Sequence, residues 1–157
     1  MDNRLLKYHR KINFIPKKYL ADKLLSKLRE ELAFLQKYEC VVYGSYVSGQ
    51  RTSRSDVDIA VITREKSARE NQQIWRSLLG KAHSKYDIKV FELLPLQIQI
   101  AIADNNVVLF GDRGEISEYF YQFYKIWRDV KPRFIENQFS SFKEKIAFLR
   151  RAKAAGY

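Results

Sequence analysis

The sequence predicts an α/β (α+β) domain: a small mixed β-sheet flanked by helices, followed by a C-terminal helical extension. Three observations carry this expectation. Apolar runs of strand length recur near 39–43, 57–63, 86–93 and 106–110. The longer stretches between several of them place apolar residues every three to four positions, the period of an amphipathic helix. Beyond Gly114 the composition changes, with Tyr119, Phe120, Tyr121, Phe123, Tyr124 and Trp127 crowded into one segment.

Residues 1–15 are basic, with a short strand expected at Lys11 to Ile15 and ended by Pro16. From Pro16 to about Tyr38 the pattern is helical. Leu20, Leu24, Leu28 and Leu32 recur every four residues, Leu25 and Leu35 widen the stripe, and proline suits a first helical turn. Strands follow at 39–43 and 57–63. A helix is expected from Ala68 to His83, with Ile74, Trp75, Leu78, Leu79 and Ala82 on one face. In the strand at 86–93, period-two alternation puts Ile88, Val90 and Glu92 on one face and Asp87, Lys89 and Phe91 on the other. A helix from Pro95 to Asp104, a strand at 106–110 and a turn at Gly111–Gly114 come next. The last helix is expected from Pro132 to about Ala155. A break or kink is placed at Pro132, because proline pushes its predecessor out of helical geometry. The organisation expected is a core at 1–112 and an aromatic-rich extension at 113–157, packed on that core or on a partner.

Chemistry concentrates in one stretch. Val41-Val42-Tyr43-Gly44-Ser45 reads as a strand entering a Gly-Ser turn. Ten residues later, Asp56-Val57-Asp58-Ile59-Ala60-Val61-Ile62 reads as a second strand carrying two carboxylates. On an extended strand, residues two apart share a face, roughly 6–7 Å apart along the chain. Asp56 and Asp58 thus aim at one region, and Asp87 joins them if its strand lies alongside. Three like charges repel and raise one another's proton affinity unless cations neutralise them. Oxygen donors of this kind suit Mg²⁺, which takes a few carboxylates plus substrate phosphates. Gly44 lets backbone approach a ligand closely, and Ser45 is a good helix N-cap beside N–H groups that attract anions. The residues themselves therefore point to a metal-dependent enzyme acting on a nucleoside triphosphate.

Composition bounds the alternatives. A length of 157 residues suits a single domain with a sizeable core. No stretch approaches the roughly 20 apolar residues of a membrane span, and the N-terminus lacks the apolar core of a signal peptide. A cytoplasmic location is the expectation. Cys40 is the only cysteine, which excludes an internal disulfide or a cysteine-based zinc cage and reads as a buried, inert thiol. A formal charge of +11 favours polyanionic partners, whether nucleic acid, nucleotide or acidic protein.

At the Gly-Ser turn, the Asp-x-Asp strand and the later Asp87, the chain resembles the minimal nucleotidyltransferases of the polymerase-beta superfamily. The resemblance runs from about Leu20 to Asp112. It includes Glu92-Leu93-Leu94-Pro95 and Val107-Val108-Leu109-Phe110-Gly111, which look like the closing helix and short strand of that fold. It implies that Asp56 and Asp58 hold two Mg²⁺ ions at the α-phosphate of ATP or another nucleoside triphosphate. Asp87 would bind the metal nearer the nucleophile and help to remove its proton. Gly44, Ser45 and Gly49 would contact the nucleotide. Many relatives carry an arginine where Ser48 stands here, and Arg51 and Arg54 in the same loop are expected to reach the triphosphate in its place.

The resemblance further implies an antitoxin of the MntA-like group, which attaches AMP to a tyrosine of a HEPN-type toxin. The alternative is a catalytically inactive relative that binds nucleic acid or protein. The C-terminal aromatic helices are a candidate surface for a homodimer or for the toxin. HEPN ribonucleases carry arginine, four to six residues, then histidine, and both Arg4…His9 and Arg76…His83 fit. Two matches from only two histidines make that spacing uninformative, so both read as ordinary histidines.

Overall fold

Four strands, β1 (Glu39–Tyr43), β2 (Val57–Ile62), β3 (Tyr86–Val90) and β4 (Val107–Phe110), form one sheet in the order β3-β2-β1-β4. The structure is a computed structural model that describes residues 22–49 and 56–137. Five helices accompany the sheet: α1 (Asp22–Glu31), α2 (Ser45–Ser48), α3 (Ala68–Leu78), α4 (Leu96–Asp104) and α5 (Arg113–Asn137). Single 3₁₀ turns at Ala33–Leu35 and Phe91–Leu93 complete the order. The expected strand at 11–15, the helix start at Pro16 with Leu20, His9, the loop residues Arg51 and Arg54, and the chain from 138 to 157 lie outside the described residues.

The sheet is mixed, as expected. β1 runs antiparallel to both β2 and β4, whereas β2 and β3 are parallel. A parallel pair needs a crossover rather than a hairpin, and α3 supplies it. Strand alternation sorts the core into two faces. Cys40, Val42, Val57, Ile59, Val61 and Tyr86 meet Leu28, Leu32, Leu35 and Leu78 on one. Val41, Ala60, Ile62 and Phe91 meet Ile102, Ile116 and Phe120 on the other. Each such fully buried side chain contributes about 1.5–3 kcal/mol, so the leucine stripe of α1 and the first turns of α5 are what clamp the sheet. β2 is apolar on both sides and buried throughout except at Asp58.

Four local expectations change. The leucine-rich helix ends at Glu31 rather than near Tyr38, and a separate 3₁₀ turn follows at Ala33–Leu35. α3 stops at Leu78 rather than His83, because Gly80 adopts φ +77, a left-handed turn that favours glycine. β3 ends at Val90, and Phe91 tucks into the second core cluster through a 3₁₀ turn. The expected break at Pro132 does not occur, and α5 continues through it to Asn137. Proline there removes the N–H that would bond the Arg128 carbonyl. Arg128 is solvent-exposed, so water can serve that carbonyl instead.

Candidate active site

The strand register does most of the positioning. Asp58 on β2 lies opposite Tyr43 on β1 and opposite Asp87 on β3. These three side chains share the face that carries Val41, Ala60 and Phe91. The start of β3 is tied to α1, since the Tyr86 hydroxyl donates to Glu31 and Lys85 Nζ lies 2.6 Å from the same carboxylate. Next to Tyr43, Gly44 has φ +72, and a Cβ placed there would sit 2.3 Å from Asp58 Oδ2. No other residue type fits that position without moving Asp58. The glycine of the Gly-Ser turn therefore serves the carboxylate directly, beyond shaping the turn.

Asp56 stands two residues before Asp58 and is exposed. The structure thus pairs Asp58 with Asp87 and leaves Asp56 in solvent beside them. Among the described residues, no group of three His, Cys, Asp or Glu side chains converges closely enough to hold a metal ion. Lys89, two residues after Asp87 and on the same strand face, gives the reason at Asp87: its Nζ lies 2.8 Å from Asp87 Oδ2. A cation already occupies one carboxylate, and a metal would displace it.

Electrostatics at the pair are unbalanced. Burial raises the proton affinity of Asp58, Asp87 and Asp56 add to the rise, and Lys89 opposes it. The Tyr43 hydroxyl is likewise pushed up by burial, then by Asp58 and Asp87. Lys89 holds its proton more tightly through its hydrogen bond to Asp87. One ammonium therefore faces a carboxylate pair inside a partly buried notch, and a hard cation would relieve the remaining repulsion.

Ser45 does not act as the N-cap. Gly44 takes that position, and Ser45 begins the one-turn helix α2, where Val47 and Ser48 donate to the Gly44 carbonyl. Ser48, standing where relatives carry arginine, is exposed and bonds back to the Ser45 carbonyl at 3.5 Å. Gly49 closes α2 in a left-handed conformation, φ +77, which accounts for that glycine on backbone grounds. His83 is exposed, and its Nδ1 accepts from the Lys85 N–H. Cys40 is fully buried in β1, where burial pushes its thiol up to about 12. Sequence reading passed over Tyr43 and Lys89. The signal for Lys89 was present, two residues from Asp87 on one strand, whereas Tyr43 is placed by its register with Asp58, which only the folded sheet gives.

Residues 26–115 match the family model described as Polymerase beta, Nucleotidyltransferase. The chain belongs to that family. It is an enzyme of the nucleotidyltransferase class, and the match spans α1 to the start of α5. It is 46% identical over 114 residues to "Putative protein adenylyltransferase MJ1547" of Methanocaldococcus jannaschii, covering 73% of this chain and 88% of that protein. Among solved structures, it is similar to a toxin–antitoxin crystal structure with AMP-PNP, at a TM-score of 0.51 and 14% identity over 71% of this chain and 98% of that one. A similar likeness, with a TM-score of 0.51 and 13% identity over 69% of this chain and 91% of the other, is to a complex of a tri-AMPylated Shewanella oneidensis HEPN toxin with its MNT antitoxin. At those identities the structural likeness is one of fold. Among the described residues, no helix is long and apolar enough to cross a membrane.

Proposed function

We propose that this nucleotidyltransferase is a Mg²⁺-dependent protein adenylyltransferase that moves AMP from ATP to a tyrosine hydroxyl of a HEPN-type toxin. The observation that carries the reading is the Asp58–Asp87 register against Gly44, a carboxylate pair set beside a backbone notch that admits no side chain. The names of the relative and of the two solved complexes support AMP as the group and a toxin as the acceptor. Asp58 and Asp87, with Asp56 swinging in from solvent, are the groups that would hold the metal ions. Two such ions would polarise the α-phosphate and stabilise the leaving pyrophosphate.

The chain's own residues have separate tasks in this scheme. Gly44 and the opening of α2 present backbone N–H groups to the β- and γ-phosphates, since the leading amides of a helix lack intrahelical acceptors. Ser45 and Gly49 flank that approach, and Arg51 and Arg54 add positive charge from the loop. Asp87 accepts the proton of the attacking hydroxyl. Lys89 releases Asp87 when the nucleotide arrives and remains as a cation beside the phosphates. Residues 113–157 form the extension that meets the toxin, a reading supported by the exposure of Tyr121, Ile126 and Val130 on α5.

The test is label transfer from radiolabelled ATP to a purified HEPN-type toxin, with Mg²⁺ and with EDTA. Transfer that requires Mg²⁺ and is lost in Asp58→Asn supports the proposal. Salt-sensitive RNA binding without any transfer would replace it with the inactive, nucleic-acid-binding alternative.

A further inference from the structure

α5 carries one apolar stripe along most of its length. Ile116, Phe120, Phe123, Trp127, Val130 and Phe134 follow one another at alternating steps of four and three residues, which keeps them on one side of a helix. The first three belong to the core: Ile116 and Phe120 are buried, and the Phe123 ring meets Phe91 edge to face, with centres 5.0 Å apart. The last three continue that side beyond Tyr124, whose hydroxyl ties α5 to Asp104 at the end of α4, at 2.6 Å. From there α5 runs on for about 20 Å, at 1.5 Å per residue. Every residue from Arg128 to Arg133 is exposed, over more than a full turn, so all sides of the helix meet solvent there. Trp127 and Phe134 pack edge to face with centres 5.3 Å apart, and Val130 on the same side is 38% exposed.

We infer that this distal stripe is the docking site for the toxin, which covers it with an amphipathic helix whose flanks carry carboxylates. The inference rests on the adenylyltransferase reading for the identity of the partner. It adds which turns of the extension bind and what chemistry they require. Apolar anchors at three- and four-residue spacing are how an amphipathic helix engages a partner, and tryptophan is among the residues that dominate binding energy at interfaces. The flanks choose among occupants. Ile126 and Arg133 border the stripe on one side and Lys131 on the other, and among the described residues no carboxylate forms an ion pair with either cation. Asp129 lies on the outer side, 3.4 Å from Arg128. A second copy of this helix, laid in either direction, sets Lys131 and Arg133 against more of the same charge. Residues 138–157 would bring Lys143, Lys145, Arg150, Arg151 and Lys153 against the single acid Glu144. Like charges across an interface oppose association, whereas Asp or Glu on a partner's flanks pairs with these cations. Nucleic acid answers the charge but not the stripe, because base stacking needs free ring faces and Trp127 and Phe134 are turned onto each other. None of these residues belongs to the Asp58–Asp87 notch, so docking and chemistry are separable by mutation.

Calorimetry of the full chain with a purified HEPN-type toxin tests this, without ATP so that no transfer occurs. Val130→Arg is expected to weaken binding about tenfold or more, and the double variant Lys131→Glu, Arg133→Glu to do the same. Both changes fall on exposed positions, and circular dichroism should show them folded. Parent affinity should drop as salt rises. In turnover, Val130→Arg should raise KM for the toxin by the same factor and leave kcat and the KM for ATP unchanged. The chain has two tryptophans, so ¹⁵N-labelled protein gives two indole signals, which Trp75→Phe assigns, and toxin should shift that of Trp127. Toxin affinity that either variant leaves unchanged or raises overturns the inference. So does a dimer of the full chain that Val130→Arg dissociates, or a Trp127 signal that Phe142→Arg moves with no toxin present. Single-stranded RNA that shifts Trp127 where the toxin does not has the same force. Toxin bound at the stripe, with no AMP transferred when Mg-ATP is added, keeps the docking and removes the adenylyltransferase reading. Transfer with an unchanged toxin KM in Val130→Arg does the reverse.

Discussion

One sheet face carries two polar clusters with opposite character. At the Ile62 end of β2, Glu92 accepts from the Thr63 and Arg64 N–H groups, at 3.1 and 2.8 Å, and from the Tyr119 hydroxyl at 3.0 Å. Arg64 forks onto both oxygens of Glu39, at 2.7 and 2.8 Å, and its guanidinium lies 5.0 Å from the centre of the Tyr119 ring. At the Asp58 end, two carboxylates share a single lysine. The first cluster is satisfied and joins β1, β2, the turn after β3 and α5 into one block. The second keeps unrelieved repulsion in a partly buried place. Under the proposed function the unbalanced end is where metal and nucleotide would bind, and the balanced end is where the fold is held.

The largest effect expected from breaking this contrast is at Asp58. Asp58→Asn should lower Mg²⁺-dependent transfer by about a thousandfold or more, the loss of several kcal/mol of transition-state stabilisation. Its stability should move the other way. The folded-state proton affinity of Asp58 is raised above the ordinary 3.8, so its contribution is present below that pH and is lost as pH rises through the raised value. Metal-free Asp58→Asn should therefore lack this decline and melt higher than the parent at neutral pH. Thermal melts across pH with EDTA check it, and a variant that melts lower at neutral pH contradicts the repulsion.

Gly44→Ala comes next, because it brings a methyl group onto Asp58 Oδ2 in a left-handed backbone conformation. A stability loss of about 1–3 kcal/mol is expected, together with loss of nucleotide binding by calorimetry. Glu92→Ala breaks the satisfied end instead. It leaves the Thr63 and Arg64 amides and the Tyr119 hydroxyl without their acceptor, at a cost of about 1–3 kcal/mol in urea unfolding. Transfer per folded molecule should hold. The smallest effect is at Lys89. Lys89→Met removes the competitor for Asp87, and Mg²⁺ should bind up to about fivefold tighter, since a half-exposed pair is worth about 0.2–1 kcal/mol. Metal titration of the two proteins shows the direction.

Much of this contrast was legible in the chain. The leucine stripe gave α1, whose Leu28 is buried, and Leu32 and Leu35 continue the buried stripe beyond the end of α1 at Glu31. The alternation of 86–90 placed Asp87 and Lys89 together, and the register with β2 confirmed that face. The ion pair between them was missed because a two-residue offset on a strand says that side chains share a face, and only the neighbouring Asp58 charge turns that into a competition. The helix through Pro132 was missed because local proline geometry argues for a break, while the exposed setting of that turn removes the penalty.

The amino-acid sequence by itself determined the order of helices and strands, the Gly-Ser turn and the two-residue spacing of Asp56 and Asp58, because these depend on neighbours along the chain. Tertiary structure decided that Asp58 faces Asp87 rather than a residue one step away, that Gly44 is pressed against the Asp58 carboxylate, and that a cleft opens between β3 and the end of α3. Strand register and the packing of α3 on an edge strand come from contacts between distant segments, and no local pattern encodes them.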